Sequence, residues 1–160
     1  MADANEEDRE FMRAAISLAR RNASSAEGGP FGAVVVFEGK VVGEGRNQVT
    51  TTNDPTAHAE VVAIRAAAKN LGRFDLKGCV VYTSCEPCPM CLAAAYWARV
   101  DKVVYSATQN EAAAAGFDDA FLYEELAKHQ SERTLKTFQV RTDDEDPFAV
   151  WLANPNRIPY

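Results

Sequence analysis

Apolar side chains recur every three or four residues in several stretches of the chain, the spacing that aligns them along one side of an α-helix. One stretch, 88–98, is apolar almost all round, which predicts a helix covered on both sides. The predicted helices are 6–22, 57–70, 88–98, 118–128 and 147–153, with a short helical turn over 111–115. The positions that define the first two are Phe11, Ala15, Leu18 and Ala19, followed by Val61, Ile64 and Ala68.

Short runs rich in valine lie between these helices and predict β-strands. Residues 33–37 and the run that begins at Val41 flank a turn, so 33–46 is predicted to be a β-hairpin. Because helices and strands alternate through the middle of the chain, the pattern favours a layered α/β fold with a partly parallel sheet. At 160 residues the chain is expected to form a single domain, 1–160. The remaining predicted strands are 79–83, 100–106 and 135–140.

Charge and composition narrow the classes of partner. The formal net charge is −6, whereas binding to a phosphate backbone normally needs a basic surface, so no nucleic-acid partner is expected. The acidic run 143–146 is interpreted as a solvated loop. The first eight residues lack the basic and apolar regions of a secretory signal, and no apolar stretch is long enough to span a bilayer. These features predict a cytoplasmic protein without a membrane partner.

Three of the four cysteines lie within one short segment, Cys85, Cys88 and Cys91. In a chain without an export signal, such a cluster favours metal binding over a disulfide framework. Cys88 and Cys91 are three residues apart at the start of a predicted helix, so both thiols face the same way and the helix dipole stabilises their thiolates. With His58, at the start of the preceding helix, they provide three ligands for Zn²⁺ and leave a fourth position for water.

Glu60 adds a carboxylate two residues after the candidate ligand His58. A carboxylate beside an activated water moves protons without being a ligand itself. The order His-x-Glu followed by Pro-Cys-x-x-Cys is similar to the signature described for zinc-dependent deaminases of nucleobases, in which the glutamate lies outside the coordination sphere. The sequence therefore predicts an open, catalytic zinc site with Glu60 as its acid and base.

A bland interpretation of the same residues is a structural zinc half-site or a redox pair of cysteines. A closed structural site needs a fourth ligand, and Cys85 and His129 are the available candidates. Cys85 precedes the helix, and we interpret it as a free thiol near the site. Cys79 is interpreted as a buried strand residue and His129 as a solvated side chain.

Four segments carry a resemblance to the cytidine deaminase-like superfamily and, more closely, to the small zinc-dependent guanine deaminases of bacteria. These segments are 29–34, 47–60, 82–91 and 115–119. The zinc motifs are shared by deaminases of cytosine, of adenosine in tRNA and of guanine, whereas 47–55 and 116–119 point to guanine. The resemblance implies a three-layer α/β/α fold with a central mixed five-stranded sheet.

The resemblance also implies the reaction, hydrolytic deamination of guanine to xanthine and ammonia in purine catabolism or salvage. It implies Zn²⁺ on His58, Cys88 and Cys91, with Glu60 as the proton shuttle and Asp119 as a second carboxylate near the leaving amino group. The family is dimeric, often with exchange of the C-terminal segment, here about 143–160, so that Tyr160 closes the partner's pocket. The implied substrate contacts are Asn47 at the purine edge, Phe31 and Trp97 against the ring, and Ala59.

Each implied contact has a simpler alternative. Phe31 and Trp97 would equally serve as core residues, and Asn47 as a turn former. Asp118 and Asp119 would equally cap the helix that follows them. Three alternative functions also remain open at this point: a deaminase of guanosine, a tRNA adenosine deaminase, and a zinc-binding module without catalytic activity.

Overall fold

The computed structural model describes residues 5–144 and 146–160. Residues 1–4 of the N-terminal stretch interpreted above, and Glu145 of the acidic run, lie outside the described residues. The chain divides into two compact units, of which the first ends at Tyr123 and the second is Glu124–Tyr160. None of the helices in the described part combines the length and the apolar character that crossing a membrane requires.

The described residues form one mixed sheet of four strands in the order β2-β1-β3-β4. Strand β1 pairs with both β2 and β3 in the antiparallel sense, and β3 pairs with β4 in the parallel sense. The predicted hairpin and the partly parallel sheet are therefore confirmed. The strands are β1 (Gly32–Phe37), β2 (Lys40–Arg46), β3 (Cys79–Cys85) and β4 (Lys102–Ala107).

Helices pack on both faces of this sheet and give the three predicted layers. Helix α1 contacts β1 and β3, and α3 contacts β2 and β1 from the opposite side. Helix α6 lies across the boundary between the two units. The helices are α1 (Glu6–Ser25), α2 (Val49–Thr52), α3 (Ala59–Leu71), α4 (Pro89–Trp97), α5 (Gln109–Ala114), α6 (Ala120–Ala127) and α7 (Pro147–Ala153), with a 3₁₀ turn at Gln130–Glu132.

The alternation of side chains along β1 separates the core into two halves. Val34 belongs to a buried cluster with Leu18 of α1, whereas Val35 belongs to a second cluster with Ala63 of α3. Because successive side chains of a strand point to opposite faces, a continuous valine run buries both faces of the sheet. The result is a central strand that fixes α1 and α3 on opposite sides.

Two glycines of β2 allow α3 to lie directly against the sheet. A Cβ atom at Gly45 would be 2.0 Å from the carbonyl oxygen of Ala59, and one at Gly43 would be 2.4 Å from that of Ala63. Real Cβ atoms essentially never approach backbone so closely, so any larger residue would push the helix away. This close approach sets the position of the first turn of α3, which follows His58.

The predicted fifth strand, 135–140, is wrong for the described chain. These residues form no strand, and Leu135, Phe138 and Val140 are exposed. Their apolar and aromatic residues suit a strand, but the described residues of the second unit form no strand with which they could pair. A single extended segment leaves its backbone groups without ladder partners, so pattern alone does not make a strand.

The prediction that α4 is covered on both sides is also wrong for the described chain. Cys91 and Ala95 are its buried residues, whereas Tyr96 is 73% and Trp97 is 65% exposed. The apolar character of the helix therefore reflects an uncovered surface as well as a core contact. Large exposed aromatic side chains of this kind are typical of surfaces that bind another protein.

Candidate metal centre and substrate pocket

Three side chains with metal-binding atoms meet where two helices begin. His58 is the N-cap residue of α3 and Cys88 is that of α4, and neither side chain caps its own helix. Cys91 lies in the first turn of α4. The Nδ1 atom of His58 is 3.6 Å from Sγ of Cys88 and 3.5 Å from Sγ of Cys91. The structure thus brings together the three residues that the sequence motifs predict as zinc ligands.

This donor set fits a zinc ion. All three ligand atoms lie within 4.8 Å of one another. Zn–S bonds of about 2.3 Å and Zn–N bonds of about 2.0–2.1 Å at tetrahedral angles separate sulfur from nitrogen by roughly 3.6 Å. The observed separations agree with that value, and three protein ligands leave a coordination position open, as in catalytic zinc sites. Cys85 is outside the cluster, and His129 lies in the second unit, where its ring contacts Ser131.

The two thiols and the imidazole compete for protons at close quarters. The pKa of Cys88 is lowered to about 4, first by the hydrogen bond from Cys91 and then by the His58 ring. The same contact, together with burial, raises the pKa of Cys91 above its ordinary range. The Cys88 contact also raises the pKa of His58. A divalent cation favours two thiolates and a neutral imidazole, which are the ligating forms.

Glu60 is a buried carboxylate beside this cluster. Its Oε1 accepts a hydrogen bond from Oγ1 of Thr83 at 3.0 Å, and its Oε2 accepts one from Sγ of Cys91 at 3.4 Å. Burial is the main cause that raises the pKa of Glu60, because a charged carboxylate is disfavoured away from water. A carboxyl group with a raised pKa is suited to accept and return a proton near neutral pH.

A pocket of about 260 Å³ opens in front of the candidate metal ligands, within the first unit. His58, Glu60 and Cys88 lie in its wall, so the candidate proton shuttle and two of the three candidate ligands face one cavity. The predicted substrate residues Phe31 and Asn47 and the predicted second catalytic carboxylate, Asp119, also line it. The ring of Phe31 packs edge to face against Phe117, with the ring centroids 4.9 Å apart, and the two rings supply the apolar part of the wall.

The two neighbouring aspartates at the pocket make different contacts. Oδ1 of Asp119 accepts a hydrogen bond from the side-chain amide of Gln109 at 2.8 Å. The backbone N–H of Gln109 in turn donates to Oε2 of Glu86 at 3.0 Å. Oδ1 of Asp118 accepts from the backbone N–H of Ala120, so the predicted helix-capping alternative applies to Asp118. Asp119 is the aspartate that is held by a side chain of the pocket wall.

Three residues predicted to contact substrate do not line the pocket of this chain. Ala59 is fully buried in the core cluster between α3 and the sheet. Trp97 lies at the exposed end of α4, with the guanidinium of Arg99 over its ring, so the core alternative is wrong for it. Tyr160 belongs to the second unit. Their contacts with substrate remain predictions.

Sequence reasoning assigned no contact to Phe117, Gln109 or Glu86. Phe117 lies within a segment that carried the family resemblance, and an aromatic residue between Gly116 and two acids was the available signal. Gln109 and Glu86 show no comparable signal. The side chain of Gln109 donates to Asp119 and its backbone N–H donates to Glu86, and no local pattern reveals either contact.

The family of the chain follows from a match over most of its first unit. Residues 5–107 match the family model of the cytidine and deoxycytidylate deaminase zinc-binding region. The matched residues include β1, both zinc motifs and β4, and they account for more than half of the sequence. The chain belongs to this family of zinc-dependent deaminases.

The individual relatives include deaminases of guanine and of adenosine in tRNA. The guanine deaminase of Bacillus subtilis is 52% identical over 151 residues, which are 94% of this chain and 97% of the relative. Its crystal structure superposes with a TM-score of 0.92 at 50% identity, covering 98% of this chain and 99% of that one. The guanine deaminase of Nitrosomonas europaea has a TM-score of 0.66 at 35% identity and covers 74% and 68% of the two chains. The tRNA-specific adenosine deaminase of Bacillus subtilis is 36% identical over 79% of this chain and 78% of the relative.

Replacing either Cys88 or Cys91 with serine is expected to abolish stoichiometric zinc binding, because a serine hydroxyl does not supply the thiolate that the metal prefers. Cys85→Ser is the matched control. Cys85 is a pocket thiol whose pKa burial raises to about 11, and it lies outside the three-residue cluster. The measurement is metal content per chain by mass spectrometry after dialysis. Zinc loss in Cys85→Ser, or zinc retention in Cys88→Ser, would contradict the assigned ligand set.

Proposed function

We propose that this chain catalyses the hydrolytic deamination of guanine to xanthine and ammonia. The observation that carries the proposal is the near-complete match, in sequence and fold, to a guanine deaminase. The composition of the pocket supports it, since Asn47, Asp119 and two phenylalanine rings surround the buried Glu60. A planar, neutral base with several hydrogen-bonding edges suits such a wall.

His58, Cys88 and Cys91 would hold the zinc ion. When bound, zinc supplies a Lewis acid that activates water for attack on the carbon that carries the amino group. Glu60 accepts a proton from the attacking water and returns it to N3 as the oxygen adds to C2 of guanine. The hydrogen bond from Oγ1 of Thr83 keeps the carboxyl group oriented for this transfer, and burial raises its pKa.

The other pocket residues orient the base and assist the leaving group. Asn47 lines the pocket with its Oδ1 engaged by the backbone N–H of Val49, a contact that fixes the amide for hydrogen bonding to the purine edge. Phe31 and Phe117 contact the ring. Asp119, held by Gln109, helps to protonate the amino group as ammonia departs. Water consumed and ammonia released balance the conversion of guanine to xanthine.

Three alternatives differ from this proposal in substrate or in catalytic power. A guanosine deaminase would use the same residues with a pocket that admits a sugar. A tRNA adenosine deaminase is favoured by relatives of that kind, but the net charge of −6 opposes binding of a polyanion. A zinc-binding module without activity is opposed by Glu60, because a structural site has no use for a buried carboxyl group beside an open metal position.

The zinc-loaded protein is expected to convert guanine to xanthine and ammonia, while Glu60→Gln keeps its zinc and loses about 10²–10⁴-fold in kcat. Glutamine preserves the size of the side chain but cannot move a proton. The measurement follows ammonia and purine products with guanine and guanosine in parallel, together with metal content. Turnover of guanosine alone would replace the proposed substrate, and normal kcat in Glu60→Gln would remove Glu60 from the chemistry.

Asp119→Asn is expected to lower kcat for guanine with zinc content unchanged, because the amide cannot donate a carboxyl proton to the leaving group. Asp118→Asn is the matched control, since asparagine retains the Oδ1 atom that accepts from Ala120. Steady-state kinetics on both variants give the comparison. Equal effects on kcat in the two variants would show that Asp119 acts only as part of the local loop structure.

We propose further that the chain is a cytoplasmic homodimer in which the segment 143–160 is exchanged, so that Tyr160 closes the pocket of its partner. Support comes from the apolar surfaces that this chain leaves exposed, chiefly Tyr96 and Trp97 on α4 and Phe138 in the second unit. Aromatic side chains are enriched at the buried centres of protein interfaces. The partner of this surface is a second copy of the chain, with neither nucleic acid nor membrane required.

Exchange of the C-terminal segment predicts complementation between two inactive variants. Glu60→Gln and Tyr160→Ala chains each form defective sites, but a mixed dimer contains one site with an intact Glu60 and the other chain's Tyr160. Random pairing after co-expression would restore about a quarter of the wild-type sites. Light scattering should give about twice the chain mass of 17.5 kDa. A monomeric protein, or a mixed dimer without restored turnover, would contradict the exchange.

A further inference from the structure

The side chain of Asn22 is a polar group in the interior that none of the chemistry above uses. It lies on α1 and is fully buried, with 0% of its surface exposed. Its Nδ2 donates hydrogen bonds to two backbone carbonyls, that of Gly29 at 2.8 Å and that of Asn47 at 2.9 Å. Burying an amide is unfavourable unless hydrogen bonds compensate for it, so these two bonds account for its presence.

The two carbonyls belong to the segments that carry the substrate residues. Gly29 precedes Phe31 by two residues, and the second carbonyl is that of Asn47 itself. The backbone N–H of Asn47 also donates to the carbonyl oxygen of Phe31 at 3.1 Å. Asn22 therefore joins two loops that are distant in sequence, and each of these loops supplies one side chain to the pocket.

The absence of a side chain at Gly28 leaves the space that these hydrogen bonds of Asn22 need. A Cβ atom at Gly28 would be 2.3 Å from the carbonyl oxygen of Asn47 and 2.8 Å from Nδ2 of Asn22. Real Cβ atoms essentially never come so near backbone, so only glycine lets the 26–29 loop close over the asparagine amide. The absent side chain and the buried amide thus form one unit, which we call the Asn22 clamp, made of Asn22, Gly28, Gly29 and Asn47.

We infer that Asn22 is a positioning residue for purine binding, which it serves by holding Phe31 and Asn47 at a fixed separation. The inference rests on the proposed function, because it assumes that these two side chains contact the base. The orientation of the amide is determined, since two carbonyl oxygens face its nitrogen. Its Oδ1 has no protein partner among the described residues, which indicates that the donor side is what the site requires.

The clamp is separate from the groups that perform the reaction. Glu60 is held by Thr83 of β3, and the three candidate metal ligands lie at the starts of α3 and α4. Asn22 makes none of these contacts. Loss of the clamp should therefore weaken substrate binding while leaving zinc and proton transfer intact, so that KM rises and kcat is conserved. A purely structural asparagine would instead lower the active fraction and leave KM unchanged.

The test compares Asn22→Leu and Gly28→Ala with Asn70→Leu. Leucine has the same branching at Cγ as asparagine but no donor, and alanine at Gly28 forces the two loops apart. Asn70 is a matched control, because it is a helical asparagine whose Nδ2 also donates to a strand carbonyl, that of Val42 at 2.8 Å, outside the pocket. Zinc content and melting temperature are measured on every variant.

Asn22→Leu and Gly28→Ala are each expected to raise KM for guanine by about tenfold to a hundredfold, with kcat within about twofold of wild type. The Kd of 8-azaguanine, a guanine analogue used as the binding probe, should rise by the same factor. Hydrogen exchange of the backbone N–H of Asn47 should accelerate in both variants, because that N–H donates to the carbonyl oxygen of Phe31 within the clamped region. Asn70→Leu should change neither quantity. Gly28→Ala alone carries the test if Asn22→Leu does not fold.

Unchanged KM with unchanged exchange in the clamp variants would overturn the inference, as would equal effects in Asn70→Leu. A wild-type protein that is inert on guanine would instead refute the proposed function. In that case amide exchange and the Kd of 8-azaguanine still decide the clamp, since neither depends on turnover. Accelerated exchange without weaker purine binding would make Asn22 a structural residue only, which also contradicts the inference.

Discussion

The carboxyl group of Glu60 is the point at which three elements of the fold are held together. It belongs to α3, accepts a hydrogen bond from Thr83 of β3, and lies 3.4 Å from Sγ of Cys91 of α4. Because it is buried, its proton affinity is raised, and the hydrogen bond from Thr83 to Oε1 fixes its orientation. The position of Glu60 therefore links the three elements and raises the proton affinity of the group that acts as acid and base. The fold around it must place the starts of α3 and α4 side by side.

The positions of α3 and α4 depend on close packing against the sheet. Gly43 and Gly45 let α3 lie against β2, and His58 then falls at the end of the helix that faces α4. Strand β3, held by its parallel pairing with β4, ends at Cys85, and two residues separate it from Cys88. Gly43 and Gly45 of the sheet thus determine where the candidate ligand His58 of the helix layer lies, although neither glycine lines the pocket.

The parts of this arrangement that the sequence predicts are those written in short, local patterns. The hairpin at 33–46, the helix after His58 and the Cys88–Cys91 pair are of this kind. The predicted strand 135–140 shows where such patterns fail, because its composition suits a strand but a pairing partner is a tertiary property. Asn22 and Gln109 were missed for the same reason, since each acts through a hydrogen bond to a residue far away or without a motif.

The charge of the pocket bears on the choice among substrates. Glu60, Glu86, Asp118 and Asp119 all line it, and the chain as a whole carries a net charge of −6. A phosphate group brought near the acidic side chains of Glu86, Asp118 and Asp119 would be repelled, which disfavours nucleotides and a tRNA backbone. A neutral base meets no such penalty and gains acceptors for its N–H groups. Charge alone does not separate guanine from guanosine, since both are neutral, so that distinction falls to the space around Phe31, Asn47 and Phe117.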